Sequence, residues 1–407
     1  MDETMSGLLA CAAVREAMDF IAQDAQHTLA QQLALTQIPA PSGDEGERAL
    51  HFKALLEAEG YQAELDAAGN VCAVVEGLPG GPNVMLAAHL DTVFPRGTDL
   101  QIRRDGEKFC APGIGDDTRA LAEILSIARA LRHSQVPFRG RLFLCADVGE
   151  EGLGDLRGVR HIFSTRNDID GFVSIDASLV GAIVYGGTGS RRYRATYSGP
   201  GGHSFGAFGL PNPIHALGRA IGEIADLQVP AAPKTTFNVG VISGGTSVNS
   251  ISGEASMLID LRSQSAEALD QIDRTVQAII RAALEAENAR WNHVQKLALE
   301  IVPLGNRPAG SQPRNCAVVR AFEAANRAVG IATKPIAASS TDCNIPISLG
   351  IPAVAVGRGG EGGGNHSLDE WFIPAAAHLG PQRDLLGVLA LLGVEGVCAS
   401  ALGRRQR

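Results

Sequence analysis

Short apolar runs alternate with helical patterns along most of the chain. The runs lie at 71–76, 83–88, 141–146, 171–175 and 351–356 and read as strands. Between them, residues 8–36 carry apolar positions at helical spacing. "IPAPSGDEGERALHFKALLEAEG" follows, with Ser42 and Glu45 at capping-box spacing before a helix that ends near Gly60. A longer helical pattern runs from Arg119 to about Arg132. Strands alternating with helices predict an α/β domain built on a mostly parallel central sheet.

From 187 to 304 the pattern changes. A strand at 191–198 is followed by a helix at 212–227, strands at 235–242 and 255–262, a helix at 264–288 and a strand at 294–303. That order, βαββαβ, is the ferredoxin-like α+β arrangement. Strand and helix alternate again after 305, so 187–304 reads as an insertion into a discontinuous domain made of 1–186 and 305–407.

A length of 407 residues agrees with two domains. The net charge of -9 disfavours nucleic acid or an anionic membrane as partner, and is compatible with a small cationic cofactor. The N-terminus, "MDETMSGLLACAAVREAMDF", has acids where a signal peptide needs basic residues, and no apolar run approaches the length of a spanning helix, so a cytoplasmic protein is expected. Seven cysteines without a CxxC pair argue against a disulfide framework and against a thiolate metal site. The closing "RRQR" reads as a solvated tail.

The chemistry lies at the ends of the apolar runs. "MLAAHLDTVF" closes on His89 and Asp91, which strand geometry points to one face. "RLFLCADVGEE" runs into Glu150 and Glu151, "GFVSIDAS" delivers Asp176, and a glycine-rich loop after "IPAVAVG" presents His366. In open α/β sheets ligands bind at the carboxyl ends of strands, so these groups converge. Asp116 and Asp117 precede the long helix, where either could cap it. Carboxylates crowded at one sheet edge repel unless a cation neutralises them, and histidines with carboxylates suit zinc. A metal site with one carboxylate shared between two ions is the economical reading.

"HLDTV", "GIGDD", "GEEGLG", "SIDAS", "GPGGHSFG" and "GGGNHSLDEW" resemble, in order and spacing, the motifs of the dinuclear-zinc exopeptidase and deacylase family. Peptidase T, glutamate carboxypeptidases, aminoacylase, acetylornithine deacetylase and succinyl-diaminopimelate desuccinylase belong to it. The resemblance implies a zinc-exopeptidase-like catalytic domain with an inserted lid and dimerisation domain. It implies two zinc ions per chain, with cobalt or manganese also acceptable to oxygen and nitrogen ligands. His89 and Asp176 would hold one ion, Glu151 and His366 the other, and Asp116 would bridge them. Glu150 would be the general base, with the exchange of Glu150 and Glu151 as the alternative. Asp91 would accept the far N–H of His89. His203 would stabilise the oxyanion, in dimeric relatives at the partner's site, and Asn249 and Arg262 would hold substrate.

One departure is local. Family members often follow the bridging motif with lysine, whereas "GDDTRA" has Thr118 and then Arg119. "VGEEGLG" and "IPAPSGDEGERA" are most similar to the peptidase T-like branch, which makes an aminopeptidase on short peptides the leading expectation. Alternatives within the family are a carboxypeptidase and an N-acyl-amino-acid deacylase. Outside it stand a non-catalytic binder of peptides or amino acids and a dinuclear phosphoesterase. The expected partners are a short peptide or N-acyl amino acid and a second copy of the chain.

Overall fold

The computed structural model describes residues 1–291 and 293–405. The chain forms two compact units, one of Met1–Gly187 with Ser311–Arg407, the other of Thr188–Gly310. The boundary after the insertion falls six residues beyond 304, because the last strand of the second unit, Ala298–Arg307, runs past that point.

An eight-stranded mixed sheet forms the centre of the first unit. Four of its neighbouring strands, Arg139–Asp147, Leu78–His89, Gly171–Ala177 and Ala353–Gly357, pair in parallel in that order. Antiparallel pairings flank this parallel block on both sides. Along Leu78–His89, Val84, Leu86 and Ala88 belong to one core with the helices Thr118–Ser134 and Leu379–Leu392, while Met85 and Ala87 belong to another with Leu156, Val159 and Ile162. A strand covered on both faces has no polar alternation, which is why these runs read as continuous apolar blocks. Replacing the wholly buried Leu86 with alanine would cost about 2–5 kcal/mol.

Residues 8–36 form three helices rather than one: Asp2–Ala10, Ala12–Gln23 and Ala25–Thr36. Cys11 is extended (φ -69°, ψ 126°) and breaks the first from the second. The capping box at Ser42 does not form either. The helix is Gly46–Ala58 with Glu45 at its N-cap, and Ser42 is spent on Asp91 instead.

Because the four parallel strands run the same way, their carboxyl ends lie along one edge and deliver His89, the Glu150–Glu151 loop, Asp176 and Arg358 there. A small sheet pairs Trp371 with Cys110 and Phe372 with Phe109, joining the segment after His366 to the segment before Asp116. Arg48, buried in the helix Gly46–Ala58, donates to the Leu90 carbonyl at 2.7 Å and fixes the chain between His89 and Asp91.

The second unit is a four-stranded antiparallel sheet in the order Thr235–Gly244, Glu254–Ser263, Gly189–Ser198, Ala298–Arg307. Its helices, Pro213–Ala225 and Ala266–Arg290, begin at Asn212 and Ser265, whose side-chain oxygens accept backbone N–H groups. Among the described residues no helix is long and apolar enough to cross a membrane. In the C-terminal "RRQR", the Arg405 amide donates to Asp170 at 2.8 Å, and residues 406 and 407 lie outside the described residues.

Candidate metal centre

Asp116 lies at the middle of the cluster. His89 Nε2 is 3.2 Å from its Oδ1 and 3.7 Å from Asp176 Oδ1. On the other side His366 Nε2 is 3.4 Å from Asp116 Oδ2 and 2.7 Å from Glu151 Oε1. Two sets of potential metal-ligating atoms therefore meet at one carboxylate: His89, Asp116 and Asp176, and Asp116, Glu151 and His366. Glu150 groups with His89 and Glu151 but not with His366. The donor set, two imidazoles and three carboxylates without sulfur, fits a pair of zinc-like divalent ions.

Asp117 also belongs to the first set, yet its carboxylate has other work. Its Oδ2 accepts the His89 amide at 3.1 Å and its Oδ1 lies 3.2 Å from Arg358. Asp117 makes no side-chain cap to the helix it precedes.

Asp91 differs from expectation. His89 Nδ1 bonds the backbone oxygen of Asp91 at 2.9 Å, while the Asp91 carboxylate stands 3.6 Å away. The peptide carbonyl, two residues on, is better placed to fix the ring. The carboxylate instead accepts the Ser42 hydroxyl at 2.5 Å and the amides of Glu150 and Glu151 at 3.0 and 2.9 Å. It thereby shapes the loop that presents both glutamates. Burial pushes the Asp91 carboxyl up, but His89, the Ser42 hydroxyl and the Glu151 amide outweigh that and bring it down to about 2.

The loop carrying Asp116 is pinned from the C-terminal segment. Glu370 accepts three amides, from Gly113 at 2.9 Å and from Gly115 and Asp116 at 2.8 Å. Burial, then the charge of Asp116, lifts the Glu370 carboxyl to about 6 against those bonds. Thr118, where the family often has lysine, donates its hydroxyl to the Gly113 carbonyl at 2.8 Å. Arg119 pairs with Glu123 at 2.7 Å, one turn further along the same helix.

Electrostatics agree with a cation site. Burial opposes charge on Asp116, but Arg358, His366 and His89 hold its carboxyl well below the usual range. His366 is pushed up to about 10 by its bonds to Asp116 and Glu151. Asp147, in register with His89, and Asp342 are wholly buried, and burial lifts both carboxyls well above the carboxylate range.

The remaining candidates lie in the second unit. His203 pairs opposite Ser250, and the Ser204 amide donates to the Asn249 carbonyl at 2.9 Å, so His203 and Asn249 sit on adjacent segments. The His203 Nδ1 accepts the amides of Phe205 and Gly206 at 3.3 and 3.2 Å. Two N–H donors on Nδ1 put the ring proton of this exposed imidazole on Nε2. Arg262 is bound to Asp260 at 2.7 Å, and Asp260 also holds Arg192.

A parallel sheet edge that gathers two histidines and two further carboxylates around a shared aspartate defines a metal-dependent hydrolase. A family model described as "Peptidase dimerisation domain" matches residues 185–288, and one described as "Peptidase family M28" matches 70–190, the stretch that contains His89, Asp116, Glu151 and Asp176. Both matches support the resemblance to the dinuclear-zinc exopeptidase and deacylase family. A Mycobacterium tuberculosis protein provisionally named succinyl-diaminopimelate desuccinylase is 25% identical over 339 residues, covering 80% of this chain and 88% of that one. The fold is shared with a tripeptidase from Staphylococcus aureus (TM-score 0.76, 23% identity, 90% of this chain and 98% of that one). It is also shared with an aminopeptidase from Bacillus cereus (TM-score 0.72, 19% identity, 90% and 99%).

Proposed function

We propose that the protein is an aminopeptidase that cleaves short peptides with two zinc ions, one held by His89, Asp116 and Asp176, the other by Asp116, Glu151 and His366. The observation that carries this reading is the position of Asp116, one oxygen toward His89 and the other toward His366. Bound there, the ions supply hydroxide near neutral pH and polarise the scissile carbonyl.

Glu150 is the proton carrier. It takes a proton from the attacking water and delivers it to the leaving amine, while Glu151, 2.7 Å from His366, is the glutamate assigned to the ion. Asp91 fixes the loop that carries both glutamates by accepting both their amides. His203 offers its Nε2 proton to the oxyanion at the partner subunit's centre in a homodimer formed through the second unit, a reading supported by the dimerisation-domain match. Asn249 and Arg262 contact the substrate backbone or carboxylate, Arg262 by leaving Asp260 for a carboxylate it can grip bidentately.

The wording of "VGEEGLG" and the tripeptidase and aminopeptidase folds support a peptide substrate. A second reading, release of an acyl group from an N-acyl amino acid, is favoured by the relatives named for desuccinylation. Zinc-loaded protein assayed on tripeptides, dipeptides and N-succinyl and N-acetyl amino acids separates them: turnover confined to free-amine peptides supports the first, and turnover confined to N-acyl compounds replaces it with the second.

A further inference from the structure

The Asp116 carboxylate has four neighbours, and they divide evenly. Oδ1 is approached by His89 Nε2 at 3.2 Å and by an Arg358 NH1 donor at 2.8 Å. Oδ2 is approached by His366 Nε2 at 3.4 Å and by the Asn365 amide nitrogen at 2.9 Å. Each oxygen thus has one candidate metal-ligating imidazole and one fixed donor that binds no metal.

We infer that Arg358 and Asn365 are positioning residues that fix the bridging carboxylate of Asp116, one donor to each oxygen, and that uptake of the full pair of ions depends on them. This inference rests on the reading of Asp116 as the ligand shared by two ions.

Arg358 does more than touch one oxygen. The same NH1 group lies 2.9 Å from the Gly115 carbonyl and 3.2 Å from Asp117 Oδ1, so it gathers acceptors from three consecutive residues. Its other terminal nitrogen reaches the Ser178 hydroxyl at 3.5 Å, and Asn365 reaches the same hydroxyl at 3.2 Å. Asp116 and Asp117 are adjacent acids, both buried, and would repel without a neighbour of opposite sign. A guanidinium keeps its charge when buried and presents a planar fork to several acceptors, which an ammonium cannot match.

The arrangement also has a cost that makes the inference testable by sign. A permanent positive charge 2.8 Å from a metal-ligating oxygen opposes a divalent ion. If Arg358 acted by charge alone, its removal would tighten metal binding. If it acts by holding Asp116 in place, its removal weakens binding despite the lost repulsion.

The experiment uses full-length protein stripped with a chelator, as wild type, Arg358→Gln, Arg358→Lys and Asn365→Ala. Zinc is titrated against a competing chromophoric chelator, and the visible spectrum of the cobalt-loaded protein reports the geometry of coordination. We expect Arg358→Gln to weaken the weaker zinc equivalent by about 10-fold or more, the usual scale for losing a residue that orients a ligand. Arg358→Lys should recover part of that loss. Asn365→Ala should weaken zinc several-fold, and all three should change the cobalt spectrum. Arg358→Gln that binds zinc as tightly as wild type, or more tightly, with an unchanged cobalt spectrum would overturn the inference. If Arg358→Gln does not fold, Asn365→Ala decides, because Asn365 is only half-buried in a loop: wild-type affinity and spectrum in that variant also overturn it. Wild-type protein that takes up no second ion removes the reading underneath, a failure visible before any variant is made.

Discussion

His366 Nε2 lies 2.7 Å from Glu151 Oε1, and that contact, with the one to Asp116, pushes the imidazole up to about 10. A metal takes only the unprotonated ring. Below about pH 10 the stripped protein must therefore lose a proton from His366 when an ion binds, and apparent zinc affinity rises with pH across the neutral range. Calorimetric zinc titrations of stripped protein in buffers of different ionisation enthalpy should show at least one proton released. An enthalpy independent of buffer would contradict it.

Glu150 and Glu151 are adjacent and chemically identical, yet their replacements should part company. Glu150→Gln is expected to keep both ions and lose roughly 10²- to 10⁴-fold in kcat, the worth of a positioned general base. Glu151→Gln should lose an ion first and activity with it. Metal analysis beside kinetics separates them, and the opposite pattern would exchange the two roles.

Asp91 accepts three donors, one hydroxyl and two amides, in a wholly buried place. Asp91→Ala leaves the two buried amides without that acceptor, at about 1–3 kcal/mol for each, while the Ser42 hydroxyl keeps the Glu151 carbonyl at 3.2 Å. The melting temperature should fall. Zinc at the His89 side should be retained better than at the Glu151 side, since the His89 ring is held by the Asp91 backbone oxygen, which alanine also has. Equal loss at both would return the orienting role to the carboxylate.

The proposed trans role of His203 gives a mixing experiment. His203→Ala and Glu150→Ala proteins, each inactive, should recover a fraction of wild-type activity once subunits exchange. Proven exchange without recovery confines His203 to its own subunit.

Much of this was legible in the sequence because it follows from strand ends. His89, Glu151 and Asp176 leave adjacent parallel strands, and a glycine-rich loop returns His366 to the same edge. The βαββαβ order was equally readable, since half-buried antiparallel strands and amphipathic helices keep their periods. Arg358, Asn365 and Glu370 were not, because loop residues have no period, and only folding brings them to a segment some 240 to 260 residues earlier. Ser42 misled for a related reason. Its spacing to Glu45 fits a cap, but the chain turns there and gives its hydroxyl to Asp91. Nor could spacing tell which part of Asp91, side chain or peptide, meets the His89 ring.

The most direct test of the metal-dependent reading is zinc content of the purified full-length protein, measured with hydrolysis of a tripeptide before and after chelation. About two zinc ions per chain, with activity lost on chelation and restored by zinc, is the predicted result. Folded protein that stays metal-free in excess zinc, or cleaves the peptide equally well without metal, would contradict it.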